Sequence, residues 1–139
     1  MSFPITVPIE VRFGDLDALG HVNNAIYLTY DEIARMHYLR RVGAMIDSGH
    51  FVMARAEVDY LKPVVLNQKV ELSLRVTRVG NKSFQTLGEL RADGVLSART
   101  VVVAGSFMAR RVARAHTGPT SGPKLAVKSA MRHSTIQSG

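Results

Sequence analysis

The sequence of 139 residues contains no cysteine. This absence excludes disulfide bonds, zinc–thiolate sites and a cysteine nucleophile, and it is compatible with the cytosol. No stretch is long and apolar enough to span a bilayer, and the first ten residues lack the basic and then apolar layout of a signal peptide. We therefore expect a cytoplasmic protein without a membrane span.

Acidic residues are missing from the last third of the chain. All eleven lie at or before Asp93, whereas residues 109–139 contain six Lys and Arg side chains. The net charge of +7 therefore comes mainly from this tail, and the rest of the chain is nearly neutral. Because a basic tail is more often a solvated extension than a specific reader of nucleic acid, we expect no nucleic-acid partner.

The chain length fits one domain. We expect this domain to cover residues 1–108 and a basic C-terminal tail to cover residues 109–139. The tail contains a Gly, Pro and Ser linker, so we expect it to be poorly ordered or to depend on a neighbour for its structure. No internal repeat of the kind that marks solenoids or propellers is present.

The hydrophobic pattern predicts one long helix over residues 24–41 after a first strand over residues 5–13. The apolar stripe of the helix is expected to be formed by Ile26, Tyr30, Ile33 and His37, with Tyr27, Ala34 and Tyr38 widening it. Asp31 and Arg35 are spaced to form an ion pair on the opposite side of the helix. Asn23 or Asn24 is expected to cap its first turn.

Four strands are predicted after the helix, over residues 52–61, 70–77, 83–91 and 95–107. Gly80-Asn81 and Asp93-Gly94 predict tight turns between the last three. Short hairpins imply an antiparallel sheet, and a single amphipathic helix must bury its apolar side against one face of that sheet. The sequence therefore predicts an α+β fold.

Polar residues that could take part in catalysis are concentrated in the loop before the helix: Asp15, Asp17, His21, Asn23 and Asn24. The N-terminus of a helix presents unpaired N–H groups, which can hold the oxyanion that forms when a carbonyl is attacked. A carboxylate nearby can act as nucleophile or as general base for water. The loop therefore fits acyl transfer, although Asp and Asn also serve in loops as purely structural turn and capping residues.

Residues 11–28 resemble the signature of the 4-hydroxybenzoyl-CoA thioesterase-like branch of the hotdog superfamily. The matching residues are Arg12-Phe13-Gly14-Asp15-Leu16-Asp17, Gly20-His21-Val22-Asn23-Asn24 and Tyr27-Leu28. The segment Glu57-Val58-Asp59-Tyr60-Leu61-Lys62-Pro63 resembles the one that follows the central helix in this family. The resemblance covers roughly residues 5–107.

This resemblance implies a hotdog fold, in which a curved antiparallel sheet wraps around one long central helix. It implies an acyl-CoA thioesterase that hydrolyses acyl-CoA to free acid and CoA, without a cofactor or a metal. It also implies a homodimer or homotetramer with active sites at the dimer interface. The five histidines show no spacing typical of metal ligands.

The family's catalytic carboxylate corresponds to Asp17, as nucleophile or as general base, and Asp15 is then a structural residue. The oxyanion donors correspond to backbone amides between Asn24 and Tyr27, while His21 and Asn23 would shape the loop or position water. The expected coenzyme A contacts are Arg55, Lys62, Arg78, Lys82 and Ser83, although each base could equally be a solvated charge at a strand edge. The expected acyl pocket includes Tyr27, Tyr30 and Phe51.

Two alternatives share the same fold. A thioesterase acting on acyl carrier protein would use the same motif, because its substrate presents the same phosphopantetheine thioester, and the basic tail would suit an acidic protein partner. A non-catalytic acyl-binding hotdog protein would not need Asp17, so the intact motif argues against it.

Overall fold

One long helix and five strands make up the part of the chain that the computed structural model describes, residues 3–43 and 52–105. In chain order these elements are β1 (Ile5–Ile9), α1 (Ile26–Arg41), β2 (Val52–Tyr60), β3 (Val70–Val79), β4 (Ser83–Ala92) and β5 (Val95–Gly105). A short 3-10 helix, Phe13–Asp15, lies between β1 and α1. The predicted α+β fold is confirmed. The first strand is shorter than predicted, because it ends at Ile9 and the chain then enters the loop.

The strands form one antiparallel sheet in the order β1-β3-β4-β5-β2. Pro8 lies in β1, and it is tolerated there because an edge strand can leave one side without hydrogen bonds. The opposite edge is β2, most of whose residues are exposed. The sheet therefore has one edge packed with the core and one that faces outward.

A two-residue turn, Asp93-Gly94, joins β4 to β5 as predicted. Both residues have positive φ angles, 50° and 79°, as a hairpin turn that matches the strand twist requires. The Asp93 carboxylate also accepts a hydrogen bond of 2.9 Å from the Lys69 amide. The resulting register of β5 places Ala98 opposite Tyr60 of β2, which fixes the position of the chain that leaves β2.

The core lies between α1 and the inner face of the sheet. Alternate residues of β3 are buried, and Leu72 and Leu74 are fully enclosed against the helix side chains Tyr30, Ala34 and Leu39. Burying each large apolar side chain stabilises the fold by roughly 1.5–3 kcal/mol. This packing holds α1 across the sheet and so determines where its first turn lies.

The buried face of α1 differs from the predicted stripe. Ile33 and His37 are exposed, whereas Asp31 and Arg35 are 0% and 6% exposed. The predicted ion pair forms, with 2.8 Å between Arg35 Nη1 and Asp31 Oδ2, but the expectation that it faces away from the core is wrong. The Thr100 hydroxyl of β5 also donates to Asp31, so the carboxylate has a second partner that a helical pattern cannot reveal.

Candidate active site

The loop between β1 and α1 holds Asp15 in a closed environment. Its carboxylate is 2% exposed and accepts hydrogen bonds from the Tyr30 hydroxyl (2.7 Å), the Arg12 amide (3.0 Å) and Arg12 Nη2 (3.1 Å). Burial acts to raise the pKa of Asp15, but the hydrogen bonds from Tyr30 and Arg12 outweigh it and hold the pKa below its usual value. Asp15 therefore fixes the loop to the helix.

Asp17 lies two residues further along and is exposed. Its Oδ1 accepts the backbone N–H groups of Leu19 (2.9 Å) and His21 (3.1 Å), and its own amide donates to the His21 carbonyl at 2.7 Å. No residue of the described chain donates a hydrogen bond to Oδ2. One oxygen thus orients the carboxylate, while the other is available to a substrate or to water.

The turn that enters α1 includes an amide for which the described residues supply no acceptor. The helix begins at Ile26, and the Asn23 side chain accepts the Ala25 N–H at 2.9 Å instead of capping the helix itself. The Ile26 N–H donates to the Asn23 carbonyl, also at 2.9 Å. Among the described residues, none accepts a hydrogen bond from the Asn24 N–H. This amide is therefore a candidate oxyanion donor.

A cavity of about 250 Å³ brings these groups together. Its lining contains five of the predicted site residues, namely Asp17, His21, Asn24, Tyr27 and Lys62. The remaining lining residues are Val22, Tyr60, Leu61 and Pro63. The candidate attacking carboxylate and the start of α1 thus share one cavity.

Two tyrosines form one wall of this cavity. Their rings, Tyr27 in the first turn of α1 and Tyr60 at the end of β2, meet edge to face with centroids 5.1 Å apart. Burial raises the pKa of Tyr27; a backbone hydrogen bond with Val64 opposes the rise, and electrostatic interactions with Tyr60 and Asp17 add to it. The Tyr60 hydroxyl donates to the Asn24 carbonyl at 2.8 Å.

Sequence reasoning gave Tyr60 no role in the site. The only available signal was its place in a family-like segment directly before Lys62 and Pro63. Its contact with Asn24 joins residues 36 positions apart, so it depends on the strand register.

The other predicted site residues lie elsewhere. Arg55 is exposed on β2, where it pairs with Glu57, and Tyr30 is 1% exposed in the core with its hydroxyl on Asp15. Asn23 shapes the helix entry but does not line the cavity. The group Arg78, Lys82 and Ser83 lies at the far end of the sheet, where Ser83 is opposite Gly105, about 23 Å along β5 from Ala98. Phe51 and the tail, residues 109–139, lie outside the described residues.

Residues 3–43 and 52–105 contain neither a candidate metal site nor a candidate membrane-spanning helix. No group of three or more His, Cys, Asp or Glu side chains there could hold a metal ion. No helix there has the length and apolar character needed to cross a membrane.

Comparison with known proteins identifies the family. The sequence model of the thioesterase-like superfamily matches residues 11–120. The solved structure of a thioesterase from Thermus thermophilus, complexed with coenzyme A and zinc, is 42% identical with a TM-score of 0.71, and the alignment covers 76% of this chain and 85% of that one. A candidate acyl-CoA thioesterase from Xanthomonas campestris is 34% identical with a TM-score of 0.67, over 76% of this chain and 93% of that one.

Among curated proteins, the uncharacterized protein YsmA of Bacillus subtilis (strain 168) is 29% identical over 84 residues, which is 59% of this chain. The chain spans 57% of that relative's length. Since the family model covers most of the sequence, the chain belongs to the thioesterase-like superfamily. The hotdog fold and the thioesterase family expected from the loop motif are therefore confirmed.

Proposed function

We propose that this protein is an acyl-CoA thioesterase, which hydrolyses the thioester bond of an acyl-CoA to a free acid and CoA. The observation that carries the proposal is that Asp17, with one carboxylate oxygen unpaired among the described residues, and Asn24, with its amide unpaired among them, line the same cavity. Acyl transfer needs an activated attacker beside a donor for the developing oxyanion. Membership of the thioesterase-like superfamily supports the same reaction.

Asp17 has two chemically complete routes. As general base, it takes a proton from water while the water oxygen bonds to the thioester carbon; the C–S bond then breaks and the sulfur receives the proton. As nucleophile, its Oδ2 bonds to the thioester carbon, the thiolate leaves, and water hydrolyses the resulting anhydride. In both routes the carbonyl oxygen becomes negative, and the Asn24 N–H is the donor we assign to it.

Coenzyme A as the carrier is supported by two observations. The relative from Thermus thermophilus was crystallised with coenzyme A. In this chain Lys62 is exposed on the cavity lining, where an ammonium group suits the phosphates of the nucleotide. No cofactor takes part in the proposed reaction.

We also propose that the active form is a homodimer or homotetramer. Strand β2 is an edge strand, and Val52, Met53 and Leu61 on and after it are 57%, 41% and 49% exposed. An exposed edge with apolar side chains is a template for pairing with another chain. A partner subunit would also allow residues remote from the cavity in one chain to contact coenzyme A, namely Arg55, Arg78, Lys82 and Ser83.

The test is thiol release from short-chain, long-chain and aromatic acyl-CoAs by the wild type, Asp17→Asn and Asp59→Asn. Asp59 is exposed on β2 and does not line the cavity, so Asp59→Asn is the matched control. We expect Asp17→Asn to lower kcat/KM at least ~100-fold, as loss of an essential base or nucleophile does. Asp59→Asn should retain wild-type activity.

The other outcomes are equally informative. Equal activity of Asp17→Asn and the wild type would remove Asp17 from the mechanism. In a second outcome, the wild type hydrolyses none of the acyl-CoAs but releases acyl groups from acyl carrier protein. That result would show that the substrate carrier is acyl carrier protein and not coenzyme A. Binding of acyl-CoA without any turnover would contradict the enzymatic proposal.

A further inference from the structure

We infer that Tyr60 is a positioning residue for hydrolysis, because its hydroxyl holds the turn that carries the oxyanion-donating amide of Asn24. This inference rests on the proposed function and adds a role for a residue that does not itself react. Its basis is the 2.8 Å hydrogen bond from the Tyr60 hydroxyl to the Asn24 carbonyl oxygen.

The hydrogen bonds of the turn show what Tyr60 controls. The peptide that joins Asn23 to Asn24 is tied on its carbonyl side, since the Asn23 oxygen accepts the Ile26 N–H. The next peptide, which joins Asn24 to Ala25, is tied on both sides. Its N–H donates to the Asn23 side chain, and its oxygen accepts the Tyr60 hydroxyl. Of these tethers, the Tyr60 hydroxyl is the one supplied from outside the turn.

Tyr60 can hold the turn in place because its own backbone is fixed by the sheet. It lies opposite Ala98 of β5, and the two following amides, of Leu61 and Lys62, both donate to the Ser97 carbonyl at 2.9 and 3.0 Å. Its ring packs edge to face on the buried Tyr27. The hydroxyl therefore fixes the start of α1 relative to the edge of the sheet.

This geometry matters most when charge develops. If the donor is displaced by a fraction of an ångström, the neutral thioester can still bind. The displaced donor stabilises the oxyanion less well, however. Loss of the Tyr60 hydroxyl should therefore weaken transition-state binding more than substrate binding. The expected signature is a lower kcat with an unchanged KM.

The experiment compares Tyr60→Phe with the wild type on the best acyl-CoA substrate. Phenylalanine keeps the ring contact with Tyr27 and removes only the hydroxyl. We expect kcat and kcat/KM to fall together by about tenfold, the effect of one lost hydrogen bond on the barrier, with KM within about twofold. Tyr38→Phe is the matched control, because Tyr38 lies near the other end of α1 and no described residue hydrogen-bonds its hydroxyl. It should leave kcat unchanged.

A second readout does not depend on turnover. Amide hydrogen exchange followed by NMR reports directly on the turn, and Tyr60→Phe should speed exchange of the Ala25 N–H and shift the Asn24 amide resonance. Tyr38→Phe should change neither. Thermal unfolding of both variants checks that the fold is retained.

Each result decides the inference. Faster exchange with a lower kcat and constant KM supports it. Unchanged exchange at Ala25 overturns it whatever the activity, and faster exchange with wild-type kcat overturns it as well. A rise in KM at constant kcat overturns it in favour of a direct substrate contact. An inactive wild type overturns the proposed function and this role together, which separates that failure from the others.

Discussion

Asp15 and Asp17 are two residues apart in one loop, yet they have opposite environments. Asp15 is buried, receives three hydrogen bonds and has a lowered pKa. Asp17 is exposed, and two amides hold only one of its oxygens. The difference shows how one short motif separates two tasks. The buried carboxylate anchors the loop, and the exposed one has an oxygen available to act as base or nucleophile.

Asp31 extends this comparison to the core. Burial raises its pKa, and neither Arg35 nor the Thr100 hydroxyl fully compensates. It nevertheless has a partner on each oxygen, as Asp15 does. Both buried aspartates therefore fix the position of α1 through hydrogen bonds, and neither lines the cavity.

The largest effect on stability is expected at Gly88, which packs closely against the buried pair of Asp31 and Thr100. A Cβ added at Gly88 would overlap the Thr100 hydroxyl and lie 2.9 Å from Asp31 Oδ1. Gly88→Ala should lower the free energy of unfolding by about 3 kcal/mol, the upper end for an overpacked core. Gly14→Ala is the control, since nothing lies within 4 Å of its added Cβ. Urea unfolding measures both, and equal stability would show that the Asp31 network is not rigid.

A smaller loss of stability is expected from Asp15→Asn. The substitution removes the negative charge that accepts hydrogen bonds from Tyr30 and Arg12. It also places an NH₂ group, which is a donor, against these two donors. Such a change should cost about 2 kcal/mol, whereas Asp17→Asn should cost less than about 0.5 kcal/mol because Asn can still accept the Leu19 and His21 amides. Thermal or urea unfolding of the two variants side by side checks the difference. A reversed order would break the comparison.

The smallest effect is a pH dependence of that same difference. Because the pKa of Asp15 is lower in the folded state than its usual 3.8, its contribution to stability is fully present above about pH 3.8 and is lost as the pH falls through the folded value. The gap between the wild type and Asp15→Asn should therefore be constant near neutral pH and narrow below pH 3.8. Urea unfolding at several pH values measures it, and a gap that widens in acid would contradict the sign of the shift.

Local patterns predicted much of the fold. The alternation in β3, the Asp93-Gly94 turn and the presence of one long helix are each encoded in a continuous stretch of sequence, so propensity and periodicity are enough to find them. The family motif also pointed to Asp17, and the structure brings it into one cavity with Asn24 and Tyr27.

Features that depend on distant partners could not be predicted in this way. The burial of Asp31 and Arg35 requires Thr100 and Gly88, which reach the helix only through the sheet. The contact between Tyr60 and Asn24 likewise requires the register of β2 on β5. Sequence periodicity carries no information about either pairing.

The measurement that tests the central claim most directly is thiol release by Asp17→Asn and Asp15→Asn, assayed together at a temperature where both are fully folded. The account predicts that Asp17→Asn loses at least ~100-fold in kcat/KM while keeping its stability, and that Asp15→Asn loses stability while keeping most of its activity per folded molecule. An active Asp17→Asn protein, or an Asp15→Asn protein that is folded but inactive, would contradict the assignment of chemistry to the exposed carboxylate.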